Sequence, residues 1–362
     1  VKGKTYINII KNEIIVDSPN YIKQKLINEL RIEGICTNKK SEQDKLSLRG
    51  LSTREEKIKE AIAFNMNSTL KLYEEIEFKK AYKYVVVFKF ESINREGIIN
   101  NARDVNSLSF DNINEVEEFD ITKPIISVRD SMIYLKFTKN ITISCEDLRY
   151  DRTVPIRYPI VVAINLEEEI FDIRFDRLYL NNDESFYNSC IDSALLWLRS
   201  NGVTNITSID LDPIVKYALE NRANEIEEVI SSFGLKKEKG ATLKAGKDKV
   251  MPFIGDLKNL LKSNSEAFTK SEDTKKCLDI INGYISDTER FADYKYRILN
   301  IIKKKVISES IDNINEDIGV KIIFNYRRQG KDLINFYNPE INNLERINHV
   351  VRYIKSIESG IK

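Results

Sequence analysis

"IISVRDSMIYLKFTKNITIS", residues 125–144, carries the pattern on which the fold turns. Apolar and polar residues alternate over short runs, as on a half-buried strand, and turn-forming residues interrupt them. The strand candidates are Ile125–Val128, Met132–Phe137 and Ile141–Ser144, with DSM and TKN as breaks. Two more, Ile160–Leu166 and Ile170–Leu180, flank the polar run LEEE. Parallel neighbours need a crossover of a dozen or more residues, and these breaks leave no room for one. The stretch therefore predicts an antiparallel meander. In FDIRFDRLYL, Asp172, Arg174 and Asp176 share one strand face and Ile173 and Phe175 the other. The charged face reads as a solvated outer surface balanced by Arg174, in preference to a carboxylate pair on a metal.

Upstream, Tyr6–Val16 reads as a strand or hairpin, and Ser18 as the cap of a helix with Pro19 in its first position. Thr53 to Glu56 fits a capping box ahead of Ile58, Ala61 and Ile62. A helix over about Ser68–Ala81 leads into the strand Tyr84–Phe90, and Asn94–Lys123 reads as loop. After about Asn181 the spacing turns helical. Tyr187, Cys190, Ile191, Ala194, Leu195 and Leu198 form one stripe. Asp212 caps a helix at Pro213 that runs to Phe233, with Gly234 as its stop. Further helices are read from Leu257, over Cys277–Ile285, over Phe291–Ile302 and after Pro339, with one late strand, Val320–Tyr326. The expectation is an α+β protein. Its first domain, 1–180, combines helices with a mainly antiparallel sheet; its second, 181–362, is mostly helical.

The chain of 362 residues holds 57 basic and 56 acidic residues, a formal net charge of +1. No global field draws it to polyanions, so any such attraction is local. Cys36, Cys145, Cys190 and Cys277 are far apart and form no CxxC, as suits free thiols in a reducing compartment. The opening VKGKTYINIIKNEIIV lacks signal-peptide features, and no apolar run approaches the ~18–20 residues that cross a bilayer. A soluble, cytoplasmic protein without a membrane partner is expected. The Ile-, Lys- and Asn-rich vocabulary suits an AT-rich bacterial genome.

Several chemistries can be set aside. His349 is the sole histidine, which excludes a histidine-rich metal centre. It lies between Arg346 and Arg352 and reads as a solvated surface residue; no G-x-S-x-G elbow accompanies it. Gly240 and Gly246 enclose five residues and Lys247 precedes Asp248, so the segment is not a P-loop. Asp210-Leu-Asp212 offers a DxD, although capping explains Asp212, and Glu77-Phe-Lys79 formally matches E-x-K within a helix. No cofactor, metal or catalytic residue is assigned.

The anomaly is GLKKEKGATLKAGKDKVMP, residues 234–252. Lys236, Lys237, Lys239, Lys244, Lys247 and Lys249 face only Glu238 and Asp248, so 235–250 carries +4 and the rest of the chain −3. Lysine is a flexible point charge that suits phosphate oxygens, and glycine lets backbone approach a ligand. Lys303, Lys304 and Lys305, and the run Tyr326, Arg327, Arg328 and Lys331, are two further basic stretches. Tyr326 suits stacking on a base. These residues point to a non-catalytic protein that binds a DNA or RNA backbone within a larger assembly, in a phage-defence or mobile-element setting. Two alternatives stand beside it: a metal-dependent nuclease or nucleotide-processing enzyme using Asp210 and Asp212, and a protein-interaction module or homo-oligomer.

Overall fold

The computed structural model describes residues 2–40, 44–110, 123–147, 150–176, 184–235, 242–246, 252–290, 292–305, 314–326, 330–337 and 344–361. The chain divides into two compact units, 1–207 with 339–345 and 208–338 with 346–362. It is a mixed α+β protein with amino-terminal helices, extensive sheet and carboxy-terminal helices.

The first unit opens with α1 (Lys2–Asn12), which continues into a π turn (Glu13–Asp17). The strand or hairpin expected over Tyr6–Val16 is thus helical. Ile7, Ile10 and Ile14 are buried at spacings of three and four, a helical stripe that the β-branched composition disguises. In α2 (Asn20–Ile32) the cap position falls on Pro19. Ser18 does not cap it; its hydroxyl lies 3.0 Å from that of Tyr73. The capping box of α3 (Arg54–Phe64) forms as expected: Thr53 Oγ1 accepts the Glu56 N–H at 3.1 Å and Glu56 Oε2 accepts the Thr53 N–H at 3.1 Å. Then come α4 (Met66–Phe78) and β1 (Tyr84–Lys89). Within the segment read as loop, Arg95–Asn101 is a short helix capped by Asn94.

The meander follows: β2 (Ile125–Arg129), β3 (Met132–Asp147), β4 (Tyr150–Asn165) and β5 (Ile170–Phe175). Neighbours are antiparallel in the order β2-β3-β4-β5-β1. Asp130 takes the left-handed conformation (φ 51°) in the two-residue turn between β2 and β3. TKN is no turn. Thr138, Lys139 and Asn140 pair with Pro159, Tyr158 and Arg157, so β3 runs straight through it.

Both faces of this sheet are covered. One face packs on α1–α4, where Tyr134, Val161 and Ala163 join a cluster with Ile10, Leu26, Leu70 and Tyr73. The other meets α5 (Glu184–Ser200), whose Trp197 ring sits edge-on to Phe137 at 5.5 Å and whose Tyr187 stacks on Phe175 at 6.0 Å. The stripe read from Tyr187 to Leu198 is buried there. Asp172 and Arg174 point to the α1–α4 side and are 2% and 1% exposed, so the solvated outer face expected for them is in fact interior. Arg174 satisfies Asp172 through Nε to Oδ1 and through Nη2 to Oδ2 at 2.8 Å. A buried charge persists only when it is paired in this way.

In the second unit α6 (Leu211–Asn221) is capped by Asp210, which accepts the Asp212 N–H at 3.1 Å. Asp212, expected to be the cap, instead pairs with Lys216 at 2.6 Å. The helix ends at Asn221, and the residues beyond form β6 (Ile226–Leu235) and β7 (Thr242–Gly246). Two helices, α7 (Pro252–Ser263) and α8 (Glu272–Arg290), precede β8 (Ala292–Lys305), β9 (Ile314–Ile323), β10 (Leu333–Phe336) and α9 (Leu344–Glu358). The strands are antiparallel in the order β7-β6-β8-β9-β10.

Two expected helices are therefore strands. In β6, register shifts between Glu228 and Ile230 and between Ser232 and Phe233 mark bulges. Each bulge slips the two-residue alternation by one, so Ile226, Val229, Ile230 and Phe233 mimic helical spacing. Gly234 continues the strand and stops no helix. In β8, Arg297, Leu299 and Ile301 are buried while Tyr296, Ile298, Asn300 and Ile302 are half-buried, a strand alternation. Among the described residues no helix is long and apolar enough to cross a membrane.

Candidate nucleic-acid interface

The strand register of the second unit fixes how its basic stretches are distributed. Leu235 of β6 pairs with Ala292 at the start of β8, and Thr242 of β7 pairs with Gly234. The strand ends flanking 236–241 therefore lie at the end of the sheet where β8 begins. β9 finishes at the same end: Ile323 pairs with Tyr296, four residues into β8. Ideal spacings put these strand ends about 13 Å apart along the strands and about 10 Å across them. Tyr326 follows Ile323 directly in the connection to β10.

Lys303, Lys304 and Lys305 close β8 and pair with Glu316, Asn315 and Ile314 at the far end. They belong to a strand, not to a helix terminus, and lie about 40 Å from Ala292 at the rise of an extended chain. The sheet thus places the flanks of two basic stretches at one end and the third stretch at the other. Lys244 lies on β7. Lys236, Lys237, Lys239, Lys247, Lys249, Arg327 and Arg328 fall outside the described residues.

The described residues of the β9–β10 connection are joined by hydrogen bonds. The Tyr326 N–H donates to the Lys331 carbonyl at 2.7 Å. Asp332, 9% exposed, accepts the Asn325 N–H on Oδ1 and the Leu211 N–H on Oδ2, both at 2.7 Å. Asn325 (φ 42°) and Gly330 (φ 65°) are left-handed, and the Gly330 N–H donates to Asn325 Oδ1 at 2.9 Å. Tyr326 and Lys331 are half-buried. A cavity of about 220 Å³ opens beside them, lined by Ser208, Ile209, Asp210, Asn325, Gly330 and Asp332. Burial raises the Asp332 pKa against the pull of its two N–H donors, and Asp210 and Asp212 raise it further. This cavity is acidic and does not suit phosphate.

One face of β8 and β9 adds residues that sequence reading missed. Opposite pairs share a face, so Tyr296, Ile298 and Asn300 lie with Ile323, Lys321 and Gly319. The Lys321 ammonium sits 3.7 Å from the centre of the Tyr296 ring, a close cation–π contact. Tyr337, which follows β10 and is 37% exposed, donates its backbone N–H to the Gly319 carbonyl at 3.0 Å. Once 292–305 and 314–323 are read as strands, their two-residue period alone puts these groups together.

The remaining candidates have other partners. His349 is half-buried, not solvated. Burial and Lys303 push its pKa down, opposed by a hydrogen bond to the Ile302 backbone. Arg346, its expected surface neighbour, is buried, with Nη2 donating to the Asp317 carbonyl at 2.8 Å. Glu77 of the E-x-K match is salt-bridged to Arg157 and Lys136, each at 2.6 Å. Among the described residues no group of three or more His, Cys, Asp or Glu side chains is placed to hold a metal ion. No protein-family model matches the chain, and no curated protein matches its sequence.

Proposed function

We propose that this protein binds the backbone of DNA or RNA, without catalysis and as part of a larger assembly, through the end of the second-unit sheet where β8 begins. The observation that carries the reading is the register. It brings the flanks of the 236–241 segment and the Tyr326 connection to one end of one sheet, with Lys321 on the adjoining face. Lysines that neutralise phosphates release counterions, so affinity falls steeply with salt. Contacts to phosphate carry no sequence information, so the proposed contact is sequence-tolerant. A bacterial defence or mobile-element setting belongs to the same proposal and rests on composition alone.

Filter binding at rising salt tests it. Replacing Lys236, Lys237 and Lys239 with Gln is expected to weaken binding and flatten its salt dependence. Replacing Lys303, Lys304 and Lys305 is expected to leave both nearly unchanged. No association at low salt, or equal losses from the two sets, would overturn the assignment to one sheet end.

A second reading has its own observation. Ile280 and Tyr284 of α8 are 72% and 64% exposed, and Leu260 of α7 is 57% exposed. Apolar side chains displayed on helices suit docking to a protein partner. Partners that survive nuclease digestion in a pull-down would favour this reading over the first.

A further inference from the structure

Gly319 lies inside β9, where glycine weakens a strand. Nothing in the backbone calls for it. Its φ is not left-handed. A Cβ built there would approach nothing nearer than Asn300 Oδ1 at 3.6 Å and Tyr337 Cβ and Cδ2 at 3.7 Å, which are ordinary contact distances. A glycine that neither conformation nor crowding requires leaves a bare patch of strand, and a ligand can approach such a patch closely.

The patch faces solvent. On the opposite face of β8 and β9, Leu299, Ile301, Ile318, Val320 and Ile322 are at most 1% exposed. Around Gly319, the side chains of Tyr296, Ile298, Asn300 and Lys321 are half-buried and Tyr337 is exposed. Tyr337 follows Phe336, the partner of Val320, and so stands beside Gly319 on the neighbouring strand line. Lys321, two residues along from Gly319, is diagonal to Tyr337 at about 7–8 Å. Its cation–π contact with Tyr296 fixes where the charge sits. Asp317, exposed on the same face, lies two residues from Gly319 in the other direction and pairs with Ile302. Charge along this face of β9 therefore turns from acidic to basic towards Ile323, the sheet end where β8 begins. Burial and then Tyr296 raise the Tyr337 pKa, so its hydroxyl is neutral and does not repel phosphate.

We propose, on the basis of the nucleic-acid reading above, that this face takes an unpaired base: the base stacks on Tyr337 over the Gly319 patch, and an adjoining phosphate meets Lys321. The ligand is then single-stranded DNA or RNA. In a duplex each base is covered on both sides by its neighbours, so an aromatic ring beside a bare strand and one cation favours an unpaired strand. Every base has a π face, so the contact tolerates any sequence.

Fluorescence anisotropy with the full chain tests this, using oligothymidylate, an abasic strand of equal length and a duplex. Oligothymidylate is expected to bind about tenfold more tightly than the other two. Oligouridylate measured beside it tells RNA from DNA, and a preference for either over its abasic counterpart supports the platform. Gly319→Val suits a strand and fills the patch; it is expected to keep the parent's urea midpoint and lose the preference. Tyr337→Leu is expected to lose it too, and Tyr337→Phe, which keeps a ring, to retain it. Equal binding of all probes by the parent protein, or a preference unchanged in Gly319→Val and Tyr337→Leu, would overturn the platform and leave backbone binding standing. No binding of any probe at low salt would overturn the nucleic-acid reading and the platform with it. Photocrosslinking of an iodouracil-bearing strand needs no variant. Adducts are expected at Tyr337 or Tyr296, and adducts at neither would overturn the assignment.

Discussion

Lysine and arginine are buried to different extents in the two units. In the first, Lys136, Arg157 and Arg174 lie between a sheet and its helices, each bound to carboxylates and 1% exposed or less. In the second, Arg297 and Arg346 are buried beside Glu228 and Glu316, while Lys303 near the end of β8, Lys321 on β9 and Lys331 ahead of β10 are half-buried. Interior charges are fixed by their partners, and removing one partner strands the others. Half-buried charges near strand ends cost the fold less to replace. The difference teaches that charge signals function only once burial is known. The sequence shows 57 basic residues and cannot say which of them face inward.

The sharpest way to break the comparison is Arg157→Met. It takes from the buried Glu77 one of its two cationic partners, and a loss of ~3–5 kcal/mol is expected in chemical denaturation. A loss below ~1 kcal/mol would show that these ion pairs are not buried as described. The acid limb comes next. Burial pushes the Glu77 carboxyl up, but Arg157 and Lys136 outweigh it and hold the pKa down at about 2. Its contribution is present above the ordinary carboxylate range and is lost as pH falls towards 2, so E77Q is expected to remove that part of the acid slope. In the second unit Asp332→Ala orphans the Leu211 and Asn325 N–H groups and is expected to cost ~1–3 kcal/mol. Thr53→Ala, which removes a cap, is expected to cost ~1 kcal/mol. Lys321→Gln should change stability by no more than ~0.5–1 kcal/mol, the range of a partly exposed cation–π contact, while weakening nucleic-acid binding.

Legibility followed the regularity of the pattern. The meander is readable because its strands are unbulged over long pairings and its turns are short: β3 and β4 stay in register from Met132 with Asn165 to Asp147 with Tyr150. The Thr53–Glu56 box is readable because capping is local chemistry. The second-unit sheet was hidden for two reasons. Bulges in β6 break the two-residue period, and in β8 the residues Tyr294, Ile298, Ile301 and Ile302 fit a helical spacing that tertiary pairing overrides. In β8 the density of aromatic and β-branched residues was the available signal. The ion cluster was not legible at all, because Glu13, Glu74, Lys136 and Arg157 are brought together from across 144 positions by folding alone. At the proposed interface the basic residues themselves could be read. Which of them share a sheet end is a property of register, set by pairings between distant segments.

The position of β7 has a consequence of its own. Among the described residues it is the outermost strand on its side of the sheet, so its outward N–H and C=O groups offer a template to any extended chain. A lysine on an edge strand, such as Lys244 on β7, disfavours pairing with an identical strand. Sedimentation of any lysine-to-glutamine variant near this edge must therefore show unchanged size before weaker retention on a filter is read as lost phosphate contact.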